Sequence, residues 1–408
     1  MEHKLSQGRF SALPGSPFVR LRALLDNVRP AKDEISLALG EPKHAPPQFV
    51  LDALRDTDGY NRYPPILGIP ELRDAIHGWL KERFALSDGL ITRDTQILPL
   101  NGTREGLFLA TQVAPSKENG VVLIPNPFYQ VYAAAAIATN AEPVYLPTTA
   151  ETGFLPDLEA IAPELLDRCQ SFFICSPANP QGAVASREYL QRLLGLAIKH
   201  DFLLLVDECY SEIYDRALEA TPPVSVLELL SAKNITNAPV IAFHSLSKRS
   251  NLPGLRAGFC TGGRDVMERF AAIRQVAGPQ CPIPAQRAAA RAWCDNAHVV
   301  ENRALYHQKF DLAETVFGDT HGFFRPAGGF FLWLNVGDGE AAALSLWQEQ
   351  GLRVLPGAYL TQVSNKDTSN IGAPFIRVAL VSAFEQTEMA LGRLKLGLDD
   401  FATQRGRA

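Results

Sequence analysis

Short apolar segments alternate with amphipathic helical segments through the middle of the chain, and this alternation limits the possible folds more than any other feature. The strand candidates are Gln96–Leu100, Val121–Pro125, Ser171–Cys175, Phe202–Val206, Val240–Phe243 and Ala257–Thr261. Helical patterns such as Arg104–Val113 and Arg187–Lys199 lie between them. Continuous apolar strands are typical of a sheet covered on both faces, and their alternation with helices predicts a mostly parallel sheet in an α/β domain.

The carboxy-terminal third has a different pattern. Its candidate elements are a long helical stretch at Pro284–Phe317, an apolar run at Gly328–Leu334, a helix near Ala341–Gln350 and strands near Leu352–Leu355 and Pro374–Leu380. They predict a smaller α+β domain, which the segment Pro17–Pro47 joins in space. We therefore predict a large domain over residues 45–290 and a small domain formed by residues 15–44 and 291–408.

The composition excludes several functional classes. The chain has 408 residues and a formal net charge of −5, which argues against a nucleic-acid-binding protein. No apolar run approaches the roughly 20 residues that span a bilayer, and the amino terminus lacks the apolar core of a signal peptide. The six cysteines show neither paired nor zinc-ligand spacing. We expect a reduced, cytoplasmic protein without a metal site.

Polar residues follow the predicted strands at their carboxyl ends, where ligands bind in open α/β sheets. After the first strand, Asn101 can cap a helix, and Gly102 lets backbone amides approach an anion at the helix start. A capped helix without a ligand is the alternative. After the next strand, Tyr129 could set its ring against a flat heterocycle, although aromatic loop residues often serve packing alone.

Two further strand ends carry groups with defined chemistry. Asn179 lies in the turn Ser176–Gly182, where its amide can donate a hydrogen bond into the crevice; a plain turn is the alternative. Asp207 ends a buried strand, where its carboxylate is costly to ionise without a partner. A protonated pyridine nitrogen would be such a partner, and Tyr210 could then reach a phenolic oxygen on the same ring. Helix capping by Asp207 is the alternative.

The segment Val240–Phe259 places Lys248 just past a buried strand. Burial and cationic neighbours lower the pKa of such a lysine, so that its neutral amine can attack an aldehyde. The hydroxyls of Ser245 and Ser247 and the guanidinium of Arg256 suit a phosphate beside it. An aldehyde and a phosphate on one ligand indicate pyridoxal 5′-phosphate (PLP). A surface loop with ordinary charges is the alternative.

These residues together resemble the class I/II aminotransferases, PLP-dependent enzymes of the aspartate aminotransferase fold (fold type I). The resemblance runs from Gly40 to Arg377 and rests on the motifs SLSK…GLRAGF, SPANPQG and DECY. It implies a large α/β domain with a mostly parallel seven-stranded sheet, a smaller α+β domain, and PLP as cofactor. It also implies that Lys248 carries PLP covalently and moves the substrate α-proton, with Asp207 and Tyr210 as further catalytic residues.

The resemblance also implies the contacts of the cofactor. Asp207 would pair with the pyridine nitrogen, while Tyr210 and Asn179 would bond the ring oxygen. Tyr129 would stack on the ring. The phosphate would be bound by Gly102, Thr103, Ser245, Ser247 and Arg256, with Arg104 also among the cofactor-binding residues.

Three further residues take roles by the same resemblance. Arg377 would bind the substrate α-carboxylate, which explains a guanidinium inside an apolar strand, where an unpaired one is costly; a structural salt bridge is the alternative. Gly40 and Asn179 would also contact the substrate. Tyr63 would reach the phosphate of the neighbouring subunit, so the resemblance implies a homodimer with a shared active site.

The segments Phe18–Leu25 and Ile35–His44 look like those of N-succinyldiaminopimelate aminotransferases of lysine biosynthesis. The reaction implied is an exchange between glutamate/2-oxoglutarate and N-succinyl-2-amino-6-ketopimelate/N-succinyl-LL-2,6-diaminopimelate. Such substrates carry carboxylates far from the reacting carbon, so a second cation is needed. Arg20, Lys43 and His44 are candidates by position, and ordinary surface charge is the alternative.

Other activities stay open at this level. The nearest alternatives are aminotransferases of aspartate, alanine, aromatic amino acids or acetylornithine, although we find no counterpart of the second-carboxylate arginine of aspartate aminotransferases. A PLP lyase is compatible with Arg377 and with the lysine site. A regulator that senses PLP would need a DNA-binding domain, for which few residues precede the matched region, and the acidic net charge argues against it.

Overall fold

The structure is a computed structural model that describes residues 8–363 and 370–406. Its strands are β1 (Ile35–Ser36), β2 (Ile97–Leu100), β3 (Val121–Asn126), β4 (Glu142–Pro147), β5 (Cys169–Cys175), β6 (Leu203–Asp207), β7 (Val240–Ser245), β8 (Gly258–Gly262), β9 (Phe331–Asn335), β10 (Leu352–Arg353), β11 (Leu355–Pro356) and β12 (Phe375–Ala379). Its helices are α1 (Pro17–Leu25), α2 (Gln48–Ala53), α3 (Pro70–Phe84), α4 (Arg93–Gln96), α5 (Thr103–Ala110), α6 (Gln130–Ala138), α7 (Pro163–Arg168), α8 (Arg187–Lys199), α9 (Val226–Lys233), α10 (Leu246–Arg249), α11 (Arg264–Ala277), α12 (Ile283–Trp293), α13 (Ala297–Phe317), α14 (Gly339–Gln350) and α15 (Phe384–Gly406).

A seven-stranded sheet lies at the centre, in the order β2-β8-β7-β6-β5-β3-β4. Strands β3 to β7 run parallel, and β8 is antiparallel to both β7 and β2. This confirms the predicted mostly parallel seven-stranded sheet. Because the parallel strands point the same way, the residues that follow β3, β5, β6 and β7 meet at one edge, where ligands bind in such folds.

The central strands are buried on both faces. Along β3, Val121 and Leu123 pack on one side, and Val122 and Ile124 pack on the other. Helices α3, α8, α9 and α12 cover the first side, and α5, α6 and α11 cover the second. This two-sided burial is the reason that the strands appear in the sequence as continuous apolar runs.

The edge strand β4 is not predicted by the sequence pattern. Its residues are exposed or half-buried, and they include Pro143 and Pro147. An edge strand needs no continuous apolar run, and it tolerates proline because one side of the strand has no hydrogen-bonded neighbour.

The C-terminal part forms a second core. The antiparallel sheet β11-β12-β9 packs there with α13, α14 and α15. The parallel pair β1–β10 brings the N-terminal segment to this part, since Ile35 pairs with Leu352. The prediction of one strand over Leu352–Leu355 is wrong, because β10 and β11 pair in different sheets.

The long helix predicted over Pro284–Phe317 is also wrong, since α12 and α13 are separate helices that meet at Cys294–Asn296. The buried guanidinium of Arg249 donates to the carbonyls of Ala292 and Asp295. These bonds satisfy the free carbonyls at the end of α12, which a further helical turn would otherwise occupy. The partner is remote in sequence, so helical periodicity could not reveal the break.

Among the residues that the structure describes, no helix has the length and apolar character needed to cross a membrane. Within those same ranges, no three His, Cys, Asp or Glu side chains lie close enough to hold a metal ion.

Candidate active site

A cavity of about 350 Å³ opens at the carboxyl edge of the central sheet, against the C-terminal part of the chain. This volume is in the range of small-molecule sites. The walls bring together most of the residues predicted from the sequence: Gly40, Thr103, Arg104, Tyr129, Asn179, Asp207, Tyr210, Ser245, Ser247, Lys248, Arg256 and Arg377. Gly102 lies directly against the wall residue Arg256. Tyr63, like Gly102, is not among the residues that line the cavity.

Lys248 lies in the short helix α10, directly after β7, and its amine points into the cavity. The Nζ atom donates to the carbonyl oxygen of Gly40 at 2.5 Å. The aromatic rings of Tyr210 and Phe330 lie 6.0 and 5.3 Å from the amine. Burial lowers the pKa of Lys248 to about 8, because water no longer solvates its charged form. About a tenth of this amine is therefore neutral and nucleophilic at pH 7, far more than for an ordinary lysine.

Asp207 is the last residue of β6, and its carboxylate is buried at the base of the cavity. The carboxylate accepts hydrogen bonds from the Tyr132 hydroxyl at 2.8 Å and from the Cys209 backbone N–H at 3.2 Å. Burial raises the pKa of Asp207, and these two bonds oppose that effect. The alternative of helix capping is wrong, since turns rather than a helix follow β6 at residues 208–213.

Tyr132 is a site residue that the sequence reasoning missed. It is fully buried on α6, and its ring stacks on Phe173 of β5 with ring centres 4.4 Å apart. Tyr129 is the N-cap of α6 and Tyr132 lies in its first turn, so closeness in sequence to Tyr129 is the signal that could have revealed it. Tyr132 contributes the hydroxyl that orients the Asp207 carboxylate.

Arg377 lies on β12, the middle strand of the smaller sheet, and reaches the opposite wall of the cavity. Its guanidinium donates to the Ala38 carbonyl at 2.7 Å and to the Asn179 side-chain oxygen at 3.2 Å, and it packs 4.3 Å from the Phe331 ring centre. Its buried Nε has no partner within the described ranges, where no carboxylate lies within 4 Å of it either. The structural salt bridge is therefore not what holds it, and burial lowers its pKa to about 10.

The end of the cavity beside α5 has the character of an anion site. Gly102 has a positive φ of 81°, which other residues rarely adopt, and a Cβ there would displace the Arg256 guanidinium, 2.0 Å away. The expected cap by Asn101 is wrong, because Gly102 itself is the N-cap of α5. Ser245 caps α10 by accepting from the Ser247 backbone N–H at 3.1 Å. Backbone amides, hydroxyls and a guanidinium thus meet at one place.

Arg104 and Tyr129 form the side wall between this end and the mouth. The Arg104 guanidinium donates to the Tyr129 hydroxyl, and the Tyr129 ring is half-buried in the wall. Phe18, Phe154 and Leu360 also line the cavity and come from outside the strand ends; we call this apolar part of the lining the mouth.

The cations predicted to bind a distant substrate carboxylate do not line the cavity. Arg20 is exposed, and its guanidinium lies 3.9 Å above the Tyr359 ring. Lys43 is exposed on the surface. His44 turns away from the cavity and bonds Asn302 and Lys309. Sequence proximity to Gly40 is a poor guide here, because Glu41 still lines the cavity whereas Lys43 and His44 do not.

Comparison with known proteins identifies the family. The profile of the family "Aminotransferase class I and II" matches residues 32–394. The LL-diaminopimelate aminotransferase of Dehalococcoides mccartyi is 31% identical over 400 residues, covering 96% of this chain and 98% of the relative. The chain belongs to the class I/II aminotransferases. An aminotransferase structure from Neisseria meningitidis matches at 34% identity and a TM-score of 0.88, covering 95% of this chain and 99% of that one. The aminotransferase AspB from Helicobacter pylori matches at 36% identity and a TM-score of 0.86, with the same coverage.

Class I/II aminotransferases use PLP, and the cavity of this aminotransferase fits that cofactor. A phosphate suits the part of the cavity that Thr103, Ser245, Ser247 and Arg256 line at the start of α5, where hydroxyls and a guanidinium can donate to it. At the other end, the buried Asp207 carboxylate lacks a cationic partner among the described residues, and a protonated ring nitrogen would supply one. Lys248 lies at the cavity wall with a lowered pKa, as a lysine that binds an aldehyde requires.

Proposed function

We propose that this aminotransferase holds PLP on Lys248 and exchanges an amino group between glutamate/2-oxoglutarate and N-succinyl-2-amino-6-ketopimelate/N-succinyl-LL-2,6-diaminopimelate. The observation that carries the proposal is the convergence of Lys248, Asp207 and Arg377 on one cavity. Lys248 supplies an amine with a lowered pKa, Asp207 supplies a buried carboxylate, and Arg377 supplies a cation with free hydrogen-bond donors. An aminotransferase needs these three groups to hold the cofactor, move the α-proton and bind the substrate carboxylate.

The cofactor contacts are proposed residue by residue. Asp207 would hold the ring nitrogen in its protonated form, and Tyr210 and Asn179 would bond the ring oxygen. Tyr129 would cover one face of the ring. The phosphate would be bound by Gly102, Thr103, Ser245, Ser247 and Arg256, with Arg104 beside them. Asp207 can do this because Tyr132 and the Cys209 N–H keep its carboxylate oriented.

PLP, when bound, supplies a ring that accepts the electron pair left after the α-proton is removed. The chain's own residues perform the remaining tasks. The neutral Lys248 amine would take the α-proton and return it one atom away, for which its lowered pKa is suited. Before and after that transfer, the Gly40 carbonyl is placed to accept a hydrogen bond from the same amine.

Arg377 would bind the substrate α-carboxylate in a two-bond pair. Two of its bonds already go to Ala38 and Asn179, which fix the plane of the guanidinium and leave Nε free. Gly40 would lie beside the same carboxylate. A side chain at residue 40 has no room, because a Cβ would lie 2.4 Å from the Phe331 ring.

The choice of a long substrate rests on two observations. The relative from Dehalococcoides mccartyi is named for LL-diaminopimelate, a seven-carbon diamino diacid. The apolar mouth formed by Phe18, Phe154 and Leu360 suits the methylene carbons of a chain that extends beyond the reacting carbon. The relative's name also favours a second candidate, transfer from LL-diaminopimelate itself to 2-oxoglutarate.

The test is a set of two reactions with the PLP-loaded protein. Glutamate alone should convert the bound cofactor to its amino form, and N-succinyl-2-amino-6-ketopimelate should restore the original absorbance band. If LL-diaminopimelate with 2-oxoglutarate turns over and the succinylated keto acid does not, the second candidate is correct. If glutamate leaves the band unchanged, the aminotransferase proposal itself fails.

We also propose a homodimer in which Tyr63 reaches the phosphate site of the partner. Tyr63 is 96% exposed and lies outside the cavity of its own chain, and Tyr60 beside it is 65% exposed. Mixed dimers test the idea. Subunits with Tyr63→Ala and subunits with Lys248→Ala, each nearly inactive alone, should regain activity when they are mixed and refolded. Absence of any recovery in confirmed mixed dimers would contradict a shared site.

We further propose the division into a large domain, residues 45–290, and a small domain, residues 15–44 and 291–408. The pairing of β1 with β10 supports the inclusion of the N-terminal segment in the small domain. Limited proteolysis should cut first near the two proposed boundaries, and first cuts within the central sheet would contradict the division.

A further inference from the structure

Helix α13 carries a buried polar strip that the proposed function does not use. The strip consists of Asn302, Tyr306 and Lys309, which are spaced by four and three residues and therefore share one helix face. All three are nearly inaccessible to solvent, with 4%, 0% and 1% of their surface exposed. None of them lines the cavity. A lysine buried to this degree is costly and calls for a specific role.

Lys309 is held by the segment that contains Gly40. Its Nζ lies 2.6 Å from the Nε2 atom of His44 and 3.1 Å from the Leu380 carbonyl. Across the described ranges, no carboxylate lies within 4 Å of it. Burial lowers the pKa of Lys309 to about 7. Burial, together with the charge of Lys309, also lowers the pKa of His44.

The hydrogen bonds fix the protonation state of His44. Its Nδ1 atom lies 2.9 Å from the Asn302 side-chain oxygen, which also accepts from the Asn251 amide at 3.0 Å. Because that oxygen can only accept, His44 carries its proton on Nδ1, and its Nε2 accepts from Lys309. The order of donors and acceptors is thus set from Lys309 through His44 to Asn302.

These hydrogen bonds connect to Lys248 in two places, at its backbone and near its side-chain amine. The Asn302 amide donates to the backbone carbonyls of Lys248 at 3.4 Å and Arg249 at 3.3 Å. His44 is four residues after Gly40, whose carbonyl accepts the hydrogen bond from the Lys248 amine. The same face of α13 therefore contacts the backbone of Lys248 and anchors the segment that faces its amine.

We propose that Lys309, His44 and Asn302 are positioning residues that set where the Lys248 amine lies in the cavity, without contact to substrate or cofactor. The proposal rests on the proposed role of Lys248 in proton transfer. Arg377 should be affected less, since its partner Ala38 follows Leu37, which is held separately by backbone bonds to Arg353 and Ala379. We call the three hydrogen-bonded residues Lys309, His44 and Asn302 the clamp. Loss of the clamp should lower kcat more than it raises the KM for glutamate.

The test compares Lys309→Met with His307→Leu. Methionine keeps the length of the side chain but cannot donate to His44 or Leu380. His307 is a matched control, because it is buried on the same helix and bonds a carbonyl, that of Tyr214 at 2.9 Å, away from Lys248. The readouts are kcat and KM for the glutamate half-reaction, and hydrogen exchange of the peptide that contains residues 40–44 in the cofactor-free protein.

We expect Lys309→Met to lower kcat about tenfold, since a displacement of about 1 Å of a reacting group can cost up to about a hundredfold. The KM for glutamate should stay within about twofold, because the Arg377 contacts remain. Exchange at residues 40–44 should be faster. His307→Leu should lower the melting temperature without changing either readout. The proposal is overturned by an unchanged kcat or exchange rate in Lys309→Met, or by an equal loss of kcat in His307→Leu.

A second pair of variants keeps the test decisive if Lys309→Met does not fold. The amide of His44→Gln can donate to Asn302 and accept from Lys309, whereas His44→Leu can do neither. We expect His44→Gln to retain most of the kcat that His44→Leu loses, and equal losses would contradict the proposal. Hydrogen exchange does not depend on the reaction. If the wild-type protein does not react with glutamate, the proposed function is refuted, and the exchange rates of the variants still test the clamp.

Discussion

The inner half of the cavity and its mouth are built in different ways. The inner half takes Asn179, Asp207 and Lys248 from the ends of neighbouring parallel strands, and each of these polar groups has a defined partner. The mouth takes Phe18 and Leu360 from segments that are far apart in the chain, and its surface is apolar. The difference teaches that the groups proposed to hold the cofactor follow from local sequence order at strand ends. In the proposed function, substrate selection instead depends on the side chains that distant segments bring to that edge.

Replacement of Lys248, in the inner half of the cavity, should have the largest effect on kcat. We expect Lys248→Ala to bind PLP without a covalent bond and to lose about 10²–10⁴-fold in kcat, the usual contribution of a placed acid–base group. Stopped-flow measurement of the glutamate half-reaction would show the loss. Wild-type turnover in this variant would remove Lys248 from the mechanism.

Asp207 should come next. We expect Asp207→Asn to lower kcat about 10²–10³-fold, because a neutral amide no longer stabilises a protonated ring nitrogen. Tyr132→Phe is the milder counterpart and should cost about tenfold, since the Cys209 N–H still orients the carboxylate. Steady-state kinetics on both variants measure which substitution lowers kcat more. Equal losses would mean that the hydroxyl, rather than the charge, is what the site needs.

Replacement of Arg377 tests the proposed binding of the substrate α-carboxylate. We expect Arg377→Lys to raise the KM for glutamate about 10–100-fold with a smaller change in kcat, because a single ammonium replaces a two-bond contact to the α-carboxylate. Initial rates over a range of glutamate concentrations measure this change. A KM like that of the wild type would place the substrate carboxylate elsewhere in the cavity.

The lowered pKa of Lys248 predicts how the cofactor-free protein captures PLP at different pH values. Only the neutral amine attacks the aldehyde, and its fraction rises with pH until the pKa is passed. With a pKa of about 8, the capture rate should rise about tenfold between pH 7 and pH 9 and then level off. A rate that keeps rising toward the ordinary lysine pKa would show that Lys248 is solvated like a surface lysine.

The mouth should show the smallest effects, and they should depend on the substrate. Phe154 lines the mouth and stacks on Phe324 with ring centres 4.9 Å apart. We expect Phe154→Ala to raise the KM of the succinylated keto acid about fivefold, the value of one good aromatic contact, and to leave that of glutamate unchanged. Arg20→Ala, outside the cavity, should change either KM by no more than about twofold. A larger effect of Arg20 would restore it as the binder of the distant carboxylate.

Local patterns of the sequence were sufficient for most of the central sheet. Two-sided burial makes β3 and β5 to β8 continuous apolar runs, so their existence could be predicted without contacts. The edge strand β4 has no such run, and the break between α12 and α13 depends on Arg249, which lies more than forty residues before it in the sequence. The bounds of an element cannot be predicted from hydrophobic periodicity when they depend on contacts with residues far away in the sequence.

The same distinction applies to the site. Asp207 and Lys248 could be predicted because a charged residue directly after a buried strand needs a chemical reason. Tyr132 was missed, since its function depends on a hydroxyl meeting a carboxylate 75 residues away. The prediction for His44 was wrong for a related reason, because its position is set by Lys309, 265 residues further along the chain.

The most direct test of the account is to locate the cofactor on the chain. The PLP-loaded protein would be treated with borohydride, which makes the lysine link permanent, and its tryptic peptides would be sequenced by mass spectrometry, with Lys248→Ala as control. The account predicts the pyridoxyl group on Lys248 in the wild type and on no lysine in the control. A label on another lysine, or an equal label in both proteins, would contradict it.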